Sequence, residues 1–180
     1  GLLIGSYNLM IEEYVSGVYH MASWGMSALY VAEGLVSACL GIWMANRKFF
    51  FKRISSYGIM YAMIGVSWVL FGLSRNLFEG AICLILFALF SAFTAPYERI
   101  TMQQEVPTET RGRVFGLWTT VAMSALQVGA FFTGIIISAV GLTYVPLVIG
   151  GIQMMFGLLF LLFVRRTDRN PLQMNSSQVV

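Results

Sequence analysis

Glu33 is the residue whose type and position most directly suggest chemistry. It lies within the apolar run Ser23–Ala45, about ten residues and ~15 Å from the start of that run if the run is helical. A carboxyl group at this depth in a membrane is costly unless it is paired, hydrated or protonated. No Lys or Arg lies within a helical turn of it. Two interpretations follow: a proton-coupling or cation-binding carboxylate, or a protonated Glu that hydrogen-bonds a neighbouring helix.

Two further patterns lie in apolar runs. Thr120, Ser124 and Gln127 share one helix face, and we expect this polar stripe to point into a bundle. It would then either line a substrate cavity or join two helices by hydrogen bonds. The small residues Gly34, Ala38 and Gly41 follow Glu33 at helical spacing and predict close packing against another helix.

The elements that would position these residues are membrane helices. Of the 180 residues, 58% are hydrophobic and only 11% are charged, whereas a soluble domain carries about 25% charged residues. A helix of about 20 apolar residues crosses a bilayer. The runs that qualify are Ser23–Ala45, Ile54–Leu73, Leu77–Pro96, Val114–Val140 and Tyr144–Val164. The sequence therefore predicts an all-α membrane bundle over residues 1–164, followed by a polar tail over residues 165–180. Ile54–Leu73 and Tyr144–Val164 carry few polar groups and are predicted to be peripheral and lipid-facing.

The beginning of the chain predicts a partial helix. Gly1–Met10 is a shorter apolar run, and no basic residue precedes Arg47. A secretory signal would place basic residues before its apolar stretch. We therefore interpret the start as a truncated membrane helix of a longer protein.

The basic residues predict the orientation. All of the eleven Lys and Arg residues except Arg75 fall in alternate loops or in the tail. The positive-inside rule places those loops and the C-terminus in the cytoplasm. Topology thus explains the net charge of +3 without a nucleic-acid partner.

Signatures of enzymes and metal sites are missing from the sequence. We find no HExxH, G-x-S-x-G or Walker A motif. Cys39 and Cys83 lack CxxC spacing, and His20 has no nearby ligand partner. We therefore expect no metal, no cofactor and no enzymatic activity. An intramembrane enzyme would need a second polar or metal-binding residue level with Glu33.

The stretch QQEVPTETRGRVFG, residues 103–116, concentrates charge between two apolar runs. Pro96 is predicted to break the hydrogen-bond ladder of the preceding helix, and Pro107 to end the inner extension of that helix. Thr108 or Thr110 is predicted to cap the next helix. The remaining residues of interest are Gln103, Arg111, Gly112 and Arg113, with Arg111 and Arg113 expected near lipid phosphates or Glu105 and Glu109. Upstream, Glu98 and Arg99 form either a gate-closing pair or a solvated boundary pair.

Pro96 and this stretch give the pattern P-x6-Q-x3-P-x3-RGRVFG. It resembles the penultimate cytoplasmic loop of major facilitator superfamily transporters, and most of all the drug and siderophore exporters that include macrolide-efflux and enterobactin-exporter-like proteins. The resemblance extends to about Arg166. It implies the C-terminal six-helix half of that fold, with the seventh helix truncated. Helices seven, eight, ten and eleven would line the cavity, and nine and twelve would lie outside.

A second stretch, GIWMANRKFFFKR, is similar to the family's loop signature after helix eight. Gly41, Arg47, Lys48, Lys52 and Arg53 keep its small and basic character. Asn46 replaces the acidic residue, and the second Gly is missing. The charge-relay latch that the family builds from this motif is therefore altered here.

The resemblance implies a secondary transporter of the plasma membrane, proton-coupled through Glu33 and exporting an amphipathic or drug-like compound. Thr120, Ser124 and Gln127 would contact the substrate. Its partners would be the small-molecule substrate, protons, membrane lipid and the missing N-terminal half of the same chain. The alternatives are an importer or lipid flippase of the superfamily, and a membrane scaffold or receptor that no longer transports.

Overall fold

The computed structural model describes residues 2–47 and 54–168, and it places no strand among them. The helices are α1 (Leu2–Gly17), α2 (Ser23–Arg47), α3 (Ile54–Leu73), α4 (Leu77–Glu105), α5 (Arg111–Val140) and α6 (Val145–Asp168), with the 3-10 turn Leu142–Tyr144 before α6. Within the described residues, α2 to α6 are long and apolar enough to cross a membrane. The predicted all-α membrane architecture is confirmed at this level.

Two helices extend beyond the apolar runs that predicted them. α4 runs past the apolar run that ends at Pro96 and continues to Glu105, so the inner extension predicted beyond Pro96 is helical. Pro96 removes one backbone hydrogen bond, which a helix of 29 residues tolerates. α1 continues past Met10 to Gly17. Its last turns expose Glu12 but bury Tyr14, so two faces of the same helix have different surroundings.

Successive helices run in opposite directions. One end of the bundle, here called the basic end, is where α2, α4 and α6 end and α3 and α5 begin. At the opposite end, Tyr14 of α1 is fully buried and donates to the Gly72 carbonyl of α3 at 3.0 Å and to the Thr143 carbonyl at 3.2 Å. On another face of α1, Ser6 accepts a 2.6 Å hydrogen bond from Thr133 of α5. α1 therefore contacts α3, α5 and the α5–α6 connection.

α3 and α6 pack along a line of glycines. Gly58, Gly65 and Gly72 recur every seven residues on α3, a spacing that keeps one face toward a neighbour. A Cβ on Gly65 would lie 2.5 Å from the Met154 nitrogen and 2.6 Å from the Gly150 oxygen. The two backbones therefore touch, as small residues allow in membranes. α6 exposes much of its outer surface, as predicted, but α3 does not: it exposes only Ile59, Leu70 and Leu73 between Ser56 and Leu73. The prediction that α3 is peripheral is therefore wrong, because its other faces pack against α4 and α6.

Tyr19 strengthens the opposite end of the bundle. The Ser74 hydroxyl donates to the Phe71 carbonyl at 2.6 Å, so it must accept the 2.5 Å hydrogen bond from the Tyr19 hydroxyl. Burial raises the pKa of Tyr19 to about 12, and this donor therefore keeps its proton at neutral pH. The hydroxyl also occupies the space where Gly80 of α4 lacks a side chain.

A capping box that the sequence analysis missed begins α4. The Asn76 Oδ1 atom accepts from the Glu79 amide at 2.9 Å, and the Asn76 Nδ2 atom donates to Glu79 Oε1 at 2.9 Å. Glu79 Oε2 also accepts from the Arg75 amide at 2.8 Å. The spacing N-x-x-E was the available signal. Glu79 is exposed and caps the helix.

Asn76→Ala is expected to lower the free energy of unfolding by about 1 kcal/mol, because it leaves the first amides of α4 without their acceptor. Thermal unfolding in detergent measures the effect. The control is Asn46→Ala, an exposed Asn in the last turn of α2, which should leave the midpoint unchanged or slightly higher. Equal midpoints for both variants would contradict the capping role.

Candidate functional site

Glu33 has a partner on another helix. The Tyr7 hydroxyl of α1 donates to Glu33 Oε2 of α2. Both residues lie about ten positions from the α1–α2 connection, so an antiparallel hairpin brings them to the same depth. Tyr7 is buried and Glu33 is half-buried. A carboxyl group in the middle of a span is thus held by a neutral hydroxyl donor.

Aromatic rings fix the direction of that donor. The Tyr7 ring stacks on Phe87 of α4 at a centroid distance of 5.2 Å and meets Trp68 of α3 edge-on at 5.3 Å. Tyr30 of α2 lies 6.1 Å away on a further side. Such offset and edge-on contacts favour one ring orientation. The hydroxyl of Tyr7 is therefore aimed at Glu33 by residues from three helices.

The site borders an open surface. The Tyr30 hydroxyl donates to Asn8 Oδ1 at 2.9 Å, and Asn8 is exposed. A Cβ on Gly34, next to Glu33, would meet nothing within 4 Å. Gly41 has the same open space, so the close packing predicted for this small-residue stripe is not formed within the described residues. Glu33 consequently lies between a packed aromatic cluster and an accessible face of α2.

The polar stripe of α5 also lies on an open face. Thr120, Ser124 and Gln127 are all exposed, and the Thr120 hydroxyl donates to the Gly116 carbonyl of its own helix at 3.0 Å. α5 packs against α1 through the opposite face, which buries Thr133. The expectation that the stripe points into the bundle is therefore not met within residues 2–47 and 54–168.

Arg111 joins the two helices of the charged loop. Its Nη2 atom donates to the Gln103 carbonyl at 2.8 Å and to the Val106 carbonyl at 3.3 Å. A guanidinium at the end of α4 satisfies carbonyls that have no partner within the helix and complements the helix dipole. Arg111 was expected near phosphates or carboxylates. It instead contacts backbone oxygens.

In the rest of this loop the helices end and begin where predicted, but the predicted side-chain cap is not formed. α4 ends at Glu105, two residues before Pro107. Thr110 occupies the N-cap position of α5 but makes no side-chain capping bond, since its hydroxyl donates to the Pro107 carbonyl at 3.4 Å. Gly112 and Arg113 are exposed. The loop is thus held mainly by Arg111.

Arg111→Gln is expected to lower the free energy of unfolding by about 1 kcal/mol, because it removes a charged donor from two carbonyls at a partly exposed site. Arg113→Gln is the matched control, since Arg113 is exposed on the same turn. Thermal unfolding at low and high salt measures both. Equal destabilisation by the two variants would show that general charge loss, and not the loop contact, is responsible.

Glu98 is engaged across helices. It accepts a hydrogen bond from the Tyr57 hydroxyl of α3, while Arg99 is exposed. Within the described residues Glu98 does not pair with Arg99, and the facing loop, the other predicted partner, lies outside them. Arg47 ends α2, and its side chain lies outside the described part of the chain, as do Lys48, Lys52 and Arg53 of the second loop motif.

The structure provides no group of three His, Cys, Asp or Glu residues that could hold a metal ion among the residues it describes. His20 is exposed and adopts a positive φ of 53°. No family model, curated protein or solved structure matches this chain. The fold and site thus define an α-helical membrane protein with a Glu–Tyr pair deep in a span, and the major facilitator resemblance stays a prediction.

Proposed function

We propose that this chain is the C-terminal half of a proton-coupled secondary transporter of the major facilitator type. It would move amphipathic or drug-like organic compounds across the plasma membrane by alternating access, with its C-terminus in the cytoplasm. The observation that carries the proposal is the Glu33–Tyr7 pair. An ionisable group held deep in a span without a cationic partner is the usual mark of an ion or substrate pathway.

Glu33 would bind the coupling proton. Ionised, its carboxylate accepts the Tyr7 hydrogen bond; protonated, it becomes neutral and can itself donate toward the open face of α2. Because Tyr7 is held by its aromatic neighbours, the two protonation states differ in charge without a change in the core. A substrate that approaches the open face would compete with the proton for Glu33.

The arrangement of helices supports this proposal. α1 lies between α2 and α5, whose exposed faces carry Gly34 and the stripe Thr120, Ser124 and Gln127. Those faces would meet the substrate and the N-terminal half of the transporter. α6, which exposes much of its surface, would form the outer support, as the resemblance implies for the last helix. α3 is more buried than the resemblance implies.

Reconstituted flux tests the proposal. The complete protein is placed in proteoliposomes with an imposed pH gradient, and a panel of fluorescent amphipathic compounds and a fluorescent phospholipid is supplied. Gradient-dependent movement of one organic compound is expected. The direction of this movement relative to the pH gradient distinguishes export from import. Movement of the phospholipid alone would indicate a flippase. No movement above empty vesicles would contradict transport and favour a scaffold or receptor.

A further inference from the structure

A groove lies between α3 and α6 near the basic end, away from Glu33. Its volume is about 800 Å³, within the range of about 300–1,000 Å³ typical of ligand sites. Aromatic and aliphatic side chains line it, among them Tyr57, Tyr61, Leu159, Phe160 and Phe163. Phe163 is 71% exposed and Leu159 is 51% exposed. The groove therefore opens on the surface of the described chain.

Glycines create this groove. Gly58 and Gly157 lie along it without side chains, and a Cβ on Gly157 would be 2.6 Å from the Ala62 nitrogen. The close backbones leave the flanking rings to form the walls. The T-shaped contact between Tyr57 and Phe160, with centroids 5.6 Å apart, fixes one wall. The hydroxyl of Tyr57 is held by Glu98, so its ring has a fixed position.

Every side of the groove belongs to a membrane-spanning segment. Its lining residues fall within Ser56–Leu73 and Leu142–Val164, the candidate spans of α3 and α6. If the groove stays empty, the side chains that line it lose dispersion contacts, and water would find few polar partners there. A hydrocarbon chain is therefore the ligand that suits it best.

Charge indicates which hydrocarbon-bearing molecule fits. Directly after Val164, α6 continues with Arg165 and Arg166 toward its end at Asp168. Basic residues at a helix end attract anionic headgroups, and Tyr side chains favour the interface. We propose that the groove binds one acyl chain of an anionic glycerophospholipid, with the headgroup at the Arg165–Arg166 end. This site is independent of the proposed transport function.

Native mass spectrometry of the complete protein in mild detergent tests this proposal. The protein is equilibrated with equal amounts of dioleoyl phosphatidylglycerol and dioleoyl phosphatidylcholine. We expect it to retain the anionic lipid over the zwitterionic one by about fivefold or more. Leu159→Trp fills the groove and should remove most of the retained lipid. Leu158→Trp is the matched control. The Leu158 side chain is 47% exposed and does not line the groove, so this variant should still retain the lipid.

Two further variants distinguish binding of the lipid's acyl chain from binding of its headgroup. Phe163→Ala removes an exposed wall residue without adding bulk, and it should weaken retention of both lipids. Arg165→Gln combined with Arg166→Gln should keep an adduct but reduce the preference for phosphatidylglycerol. Equal retention of the two lipids by the unaltered protein would overturn the proposal. So would equal retention by Leu158→Trp and Leu159→Trp, or a protein dimer that Leu159→Trp dissociates, which would assign the groove to a second copy.

Discussion

Glu33→Gln is expected to abolish proton-driven flux of the transported compound while the protein remains folded and inserted. Glutamine has nearly the same size and can accept the Tyr7 hydrogen bond through its amide oxygen. It cannot bind and release a proton, so the coupling step is lost. In proteoliposomes with an imposed pH gradient, the rate should fall to that of vesicles without protein.

Counterflow separates coupling from binding in this variant. Exchange of labelled for unlabelled compound needs no net proton movement, so Glu33→Gln should retain it at saturating concentrations of the compound. Glu12→Gln is the control, because Glu12 is an exposed carboxylate near the end of α1, and its flux should match that of the unaltered protein. Surviving proton-driven flux in Glu33→Gln would show that another group couples the proton.

Gly150→Ala is expected to destabilise the bundle strongly. A Cβ there would lie 2.6 Å from the Gly65 oxygen, 2.8 Å from the Val69 nitrogen and 2.9 Å from the Trp68 Cβ atom. Two of these neighbours are backbone atoms and cannot rotate away, so α3 and α6 must separate. Overpacking of this kind costs about 3 kcal/mol.

Gly151→Ala provides a control one residue away. A Cβ on Gly151 would meet nothing within 4 Å, and Ala favours the helix over Gly. The thermal unfolding midpoint in detergent should therefore fall for Gly150→Ala and stay level or rise for Gly151→Ala. Similar midpoints for these two variants would contradict the close α3–α6 packing.

The spans were predictable because bilayer thickness fixes their length. α2 and α3 begin where the apolar runs Ser23–Ala45 and Ile54–Leu73 begin. At Pro96 the missing N–H removes one bond of the ladder, yet α4 continues to Glu105. The apolar run alone, which ends at Pro96, did not show where the helix ends.

The site was predictable only in part. Glu33 was evident because a carboxyl group in an apolar run is rare, whereas Tyr7 was not, because Tyr residues are common in this chain. The matching distances of Tyr7 and Glu33 from the α1–α2 connection were the usable signal. Likewise, glycine spacing did not reveal which face meets a neighbour: Gly34 lies open, while Gly65 and Gly150 touch.

Proton release on substrate binding tests the role of Glu33 most directly. The purified complete protein is mixed, in weakly buffered detergent solution with a pH indicator, with a compound that the flux assay shows to be transported. If substrate and proton compete for Glu33, binding should release protons from the unaltered protein. Glu33→Gln should bind the compound more weakly and, even at compound concentrations that saturate it, release none. Equal proton release by the two proteins would contradict the assignment of Glu33 as the coupling site.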